Sequence, residues 1–93
     1  MKIIKLPYRY VLAQHGFTHA LRFDHENKQS AAIKKALYQI HHGKNPWNIH
    51  WKWSNPQAPW GYYQERNRRL APYWIGVRDQ RDLTAAILKA CYE

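Results

Sequence analysis

Five arginines in the second half of the chain, Arg66, Arg68, Arg69, Arg78 and Arg81, are the side chains best suited to chemistry. A guanidinium fork matches the two acceptor atoms on the major-groove edge of guanine, which suits Arg66 and Arg78 if they stand on strands. Arg68, Arg69 and Arg81 fall in or beside expected loops, where phosphate is the natural partner. Asn48 and Gln64 carry the amide geometry that reads adenine. His50 and Lys52 alternate with Trp47, Ile49, Trp51 and Trp53, so they share a polar strand face with Asn48. Trp74 is out of phase with Ile75 and Val77 and is the tryptophan expected to be exposed.

Catalytic chemistry is poorly supplied. A metal-dependent nuclease needs carboxylates or histidines around an ion, and only Asp24, Glu26, Glu65, Asp79, Asp82 and Glu93 are available. Three of these are explained by helix capping or by the chain end. His15 and His19 fall on a turn and a strand, and His41 and His42 diverge on a helix, so no metal or other cofactor is expected. The single Cys91 cannot form an intramolecular disulfide or a cysteine-based zinc site, which suits a reducing, cytoplasmic setting. It falls on the inner face of the last helix and is expected to be a small core residue.

The composition points the same way. Fifteen Lys and Arg against six Asp and Glu give a formal charge of +9 over 93 residues. Such a balance calls for a polyanion partner. A hydrophobic fraction of 45% argues for a folded chain rather than a basic tail. No apolar run approaches the ~18 residues of a membrane span, and Met1–Pro7 is too short and charged for a secretory segment. Residues 1–46 carry 8 basic and 2 acidic residues and residues 47–93 carry 7 and 4, yet all five Trp lie in the second half.

The elements that must position these groups come as a repeat. Ala31–Tyr38 matches Ala85–Tyr92 at six of eight positions, and extending upstream without a gap aligns Leu21 with Ile75 and Phe23 with Val77. The first half reads as strands over Lys2–Leu6, Tyr8–Gln14 and Thr18–Phe23. A helix follows, opened by Asp24, Asn27 or Ser30, burying Ile33, Ala36, Leu37 and Ile40, and ended by His41-His42-Gly43. The second half reads as strands over 47–53, Tyr62–Arg66 and Tyr73–Arg78, then a helix from Asp82 to Tyr92 capped by Asp79 or Asp82. The expected fold is α+β: two tandem three-stranded antiparallel sheets, each backed by its own C-terminal helix (βββα-βββα), in units 1–46 and 47–93. Each sheet would leave one face open. In the second unit that face would hold Asn48, His50, Lys52, Tyr62, Gln64, Arg66, Trp74 and Arg78.

Residues 47–93 resemble the arm-type DNA-binding domain of lambda-like tyrosine integrases, a fold shared with the plant ethylene-response-factor domain. The resemblance is carried by Gly61-Tyr62-Tyr63, Arg66, Gly76-Val77-Arg78-Asp79-Gln80-Arg81 and Thr84-Ala85-Ala86-Ile87, with Ala90 and Glu93 continuing it. The connection from Ser54 to Trp60 is longer and richer in proline than the family's first turn, no recombinase catalytic domain follows, and the first half puts Asp24 where the second has Arg78. The resemblance implies a sheet laid in the major groove of double-stranded DNA.

The leading expectation is a small non-enzymatic duplex-DNA-binding protein, an accessory or regulatory factor of a phage or mobile element. The alternative is a phage-type effector whose basic surface docks on a host protein such as a DNA-processing enzyme. A third reading is a single-strand or RNA binder that stacks bases on exposed Trp and Tyr.

Overall fold

A computed structural model of the chain describes residues 2–43, 46–48, 57–65 and 71–91. The elements run in the order β1 (Ile3–Lys5), α1 (Val11–Gln14), β2 (His19–Phe23), α2 (Lys28–Ile40), β3 (Trp47–Asn48), β4 (Trp60–Gln64), β5 (Tyr73–Val77) and α3 (Gln80–Cys91). All strands belong to one five-stranded sheet of order β1-β2-β5-β4-β3. The α+β class is as expected, but the two tandem sheets are not formed. Strands β2 and β5 pair antiparallel at the centre and join the halves into one sheet. This removes two edges whose unpaired N–H and C=O groups would otherwise face water.

The repeat reappears in the pairing. Leu21 and Ile75, equivalent in the two copies, lie directly opposite one another, flanked by Phe23↔Tyr73 and His19↔Val77. The sheet centre is therefore a pseudo-twofold, with β1-β2-α2 on one side and β4-β5-α3 on the other. The helices cross over. Lys34 of α2 donates to the Tyr73 hydroxyl of β5 at 2.8 Å, and α3 packs on β2 as well as β5. Neither half keeps its helix to itself.

Local sequence accounts for the helices. Asn27 and Ser30 form a reciprocal capping box at the start of α2, each side chain accepting from the other's backbone N–H at 2.9 Å. His42 and Gly43 adopt positive φ at its end, and the Gly43 N–H reaches back to the Tyr38 carbonyl. Asp79 opens α3 by accepting from the Arg81 N–H at 3.0 Å. The inner stripes Ile33, Ala36 and Leu37 of α2 and Leu83 and Ala86 of α3 pack on Leu21, Phe23, Tyr73, Ile75 and Val77. Cys91 departs from its expected core role: it is exposed on the last turn of α3.

The opposite face is covered too, against the expectation of an open sheet. Ala20, Gly76 and Gly61 form a row across β2, β5 and β4 with almost no side chain. Phe17, Leu12 and Trp47 fill the space above it, joined by Leu6, Ala58 and Trp74 in a second core. A Cβ at Gly61 would meet the Trp47 carbonyl oxygen at 2.8 Å, and one at Gly76 would meet Leu12 at 3.0 Å. The demand for this cover explains why Tyr8–Gln14 is not a strand. Its last part coils into α1, which lowers the buried Leu12 onto the glycine row. Strand β3 also differs from expectation, because it runs parallel to β4.

Candidate nucleic-acid interface

The unglycined end of the second face carries the row Arg22, Trp74 and Tyr63, one residue from each of β2, β5 and β4. The Arg22 guanidinium carbon lies 5.9 Å from the centre of the Trp74 ring. Tyr10 leans on the same ring, with centroids 5.2 Å apart and planes at 40°. Trp74 Nε1 donates to Glu65 Oε1 at 3.1 Å. Trp74 is thereby enclosed, with 6% of its surface exposed, where its phase had suggested an exposed residue.

The other residues expected on one polar face are distributed elsewhere. The β4–β5 register sets Tyr62 opposite Ile75, Tyr63 opposite Trp74 and Gln64 opposite Tyr73. Even positions of β4 thus share a face with odd positions of β5, so Gln64 and half-buried Tyr62 lie on the helix-covered side. Asn48 is buried on β3 beside Tyr62. Arg78 continues the Trp74 face, but its guanidinium lies over the Phe17 ring at 4.5 Å, and its Nε donates to the Ala58 carbonyl at 2.9 Å. It crowds Gly16, whose φ of +94° and lack of Cβ leave room for it. Arg81 is exposed and bound to Asp79 by side-chain contacts of 2.9–3.3 Å. Hydrogen bonds from Arg81 hold the Asp79 carboxyl below its ordinary range, and Asp79 raises the Arg81 guanidinium in turn. His50, Lys52, Arg66, Arg68 and Arg69 lie outside the described residues.

The electrostatics are uneven. Each described carboxylate has a partner: Asp24 with Arg22, Glu26 with Lys34, Asp79 with Arg81, Asp82 with His41, and Glu65 with the Trp74 N–H. Lys2, Lys5, Arg9, Lys28 and Lys35 are exposed and meet no carboxylate among the described residues. Lys28 and Lys35 stand seven apart on α2, on one helical face and ~10.5 Å apart along the axis. Lys2, Arg22, His25 and Gln29 line a polar hollow of about 310 Å³ where β2 gives way to α2.

The sequence marks the basic first half only as suited to general phosphate attraction, without singling out these side chains. Their signal was present: Lys28 and Lys35 fall outside the apolar stripe, and Arg22 alternates with Leu21 and Phe23. No described helix is long and apolar enough to cross a membrane. No family model, curated protein or solved structure matches the chain.

Proposed function

We propose that this is a non-catalytic protein that binds double-stranded DNA, held chiefly through the phosphates. The observation that carries the reading is the charge pattern. Asp24, Glu26, Asp79 and Asp82 are each paired with a basic side chain, while Lys2, Lys5, Arg9, Lys28 and Lys35 are exposed and meet no carboxylate among the described residues. The ~10.5 Å axial step between Lys28 and Lys35 is close to the ~12 Å width of a major groove, so one face of α2 can meet phosphates on both sides of it. The integrase-arm resemblance of residues 47–93 supports duplex DNA as the polyanion. A role as an accessory or regulatory factor of a phage or mobile element rests on that resemblance alone.

The grip differs from the one the resemblance implies. Arg78 and Trp74 serve packing, and Gln64 faces the helices. Base reading by these sheet residues is therefore not part of the proposal, and phosphate contact supplies most of the affinity. A random-sequence duplex in a mobility-shift titration at low salt should bind and be released as salt rises. Absence of duplex binding at low salt, with one stoichiometric protein recovered from a host extract, would replace this reading by the effector alternative.

A further inference from the structure

We infer that the cavity beside Trp74 is a binding site for one unpaired guanine bearing a 5′-phosphate. The cavity measures about 250 Å³ and lies between α1 and the β4–β5 pair. That is below the ~300–1,000 Å³ of pockets for drug-sized molecules, and it suits a single ring system. Tyr10, Tyr63 and Trp74 line it together with Leu6 and Leu12, an apolar and aromatic wall against which a base can pack.

The polar groups select the base. Glu65 is half-buried at the cavity wall, and its Oε1 accepts from Trp74 Nε1. That bond anchors one oxygen and leaves Oε2 and the second lone pair of Oε1 without a partner among the described residues. A carboxylate accepts best from two parallel N–H groups. Guanine presents two adjacent donors, N1–H and the N2 amino group, on its Watson–Crick edge. Adenine and cytosine each set a ring-nitrogen acceptor beside their single amino group, and uracil flanks its one N–H with carbonyls. Each of those three would turn a lone pair toward Glu65. At the rim, Arg9 is exposed, and its guanidinium carbon stands 5.4 Å from the Tyr10 ring centre. It meets no carboxylate among the described residues, and a phosphate attached to the bound base would give it an anionic partner. The site goes beyond duplex binding, because a paired guanine keeps both donors inside the helix.

The test is calorimetric titration of the full chain with GMP, AMP, CMP, UMP and guanosine. Short oligothymidine strands carrying one central guanine or adenine are titrated alongside. GMP or the guanine strand should bind at least ~10-fold tighter than its adenine counterpart. GMP binding alone would assign the site to a free nucleotide, and strand binding alone would assign it to an unpaired base within a nucleic acid. Glu65→Gln keeps a carbonyl for Trp74 Nε1 and should melt like wild type, yet it should abolish the guanine preference, with adenine affinity held or raised because an amide matches adenine's adjacent donor and acceptor. Arg9→Ala should weaken GMP but not guanosine. Equal affinity for all bases, no binding of any of these ligands, or a Glu65→Gln variant that still prefers guanine would overturn the assignment. Duplex affinity of Glu65→Gln, measured in parallel, should match wild type, so the two readings fail separately.

Discussion

Replacing Arg78 by alanine separates a packing role from a DNA-reading role. In the structure this side chain lies over Phe17, which is itself 1% exposed, and donates to the carbonyl of fully buried Ala58. Arg78→Ala leaves that carbonyl without its charged donor, a loss of ~1.5–3 kcal/mol. The cation–π contact adds ~0.5–1 kcal/mol. The expected destabilisation is about 2–4 kcal/mol, a large part of the ~5–15 kcal/mol that holds a domain folded. At ~4–8 °C per kcal/mol for a domain of this size, the melting temperature should fall by roughly 8–30 °C. Urea unfolding followed by circular dichroism should show a lower midpoint with an unchanged slope. Arg78→Lys should lie between the two, since it keeps the charge and loses the planar fork. Duplex affinity, measured where the variant is still folded, should change by no more than removal of one distant charge. An unchanged urea midpoint combined with lost sequence preference on DNA would refute the packing argument and return Arg78 to the base-contacting role first expected of it.

Two further outcomes follow from the α2 contacts. Burial, with smaller contributions from Glu26 and Tyr62, pushes the Tyr73 phenol well above its ordinary value of 10.0. The folded state therefore keeps the proton that the unfolded chain releases. Stability from this group is complete below about pH 10 and declines as pH rises beyond it. Tyr73→Phe should flatten the alkaline limb of a stability–pH curve and, through loss of the Lys34 hydrogen bond, cost about 1 kcal/mol at neutral pH. Asn27→Ala removes half of the capping box and should lower unfolding free energy by ~1 kcal/mol in urea, without altering duplex affinity.

The local devices were legible in the sequence. The Gly43 stop, the apolar stripe of α2, that of α3 apart from Cys91, and the strands β2 and β5 all follow from near-neighbour patterns, which also narrow the opening of α2 to Asp24, Asn27 or Ser30. What joins them was not. Pairing of β2 with β5 depends on which edges are free once both halves exist, and no window of sequence contains both strands. The Tyr8–Gln14 segment carries too few residues to decide between strand and helix by period. Its conformation is set by Leu12 docking on Gly76, far along the chain.

The same distance hid much of the site. Arg78 looked like a reader of bases because its partners, Phe17 and Ala58, are remote in sequence. Counting within each strand puts Tyr62, Gln64 and Trp74 on one face. The register, however, is fixed across strands, and Glu65 bonding to Pro72 extends it at one end. The overall positive charge was legible from composition, but which cations remain without a carboxylate is a matter of three-dimensional pairing.

In the proposed complex α2 presents exposed Lys28 and Lys35 to duplex phosphates, while the described sheet strands are covered by packing on both faces. Its most direct test is the salt dependence of duplex binding, by fluorescence anisotropy, for wild type and the Lys28→Gln/Lys35→Gln pair. If both lysines contact phosphate, the double variant should bind random and selected duplexes uniformly more weakly, and the slope of log affinity against log salt should shrink by about two. An unchanged slope with unchanged affinity would contradict the account.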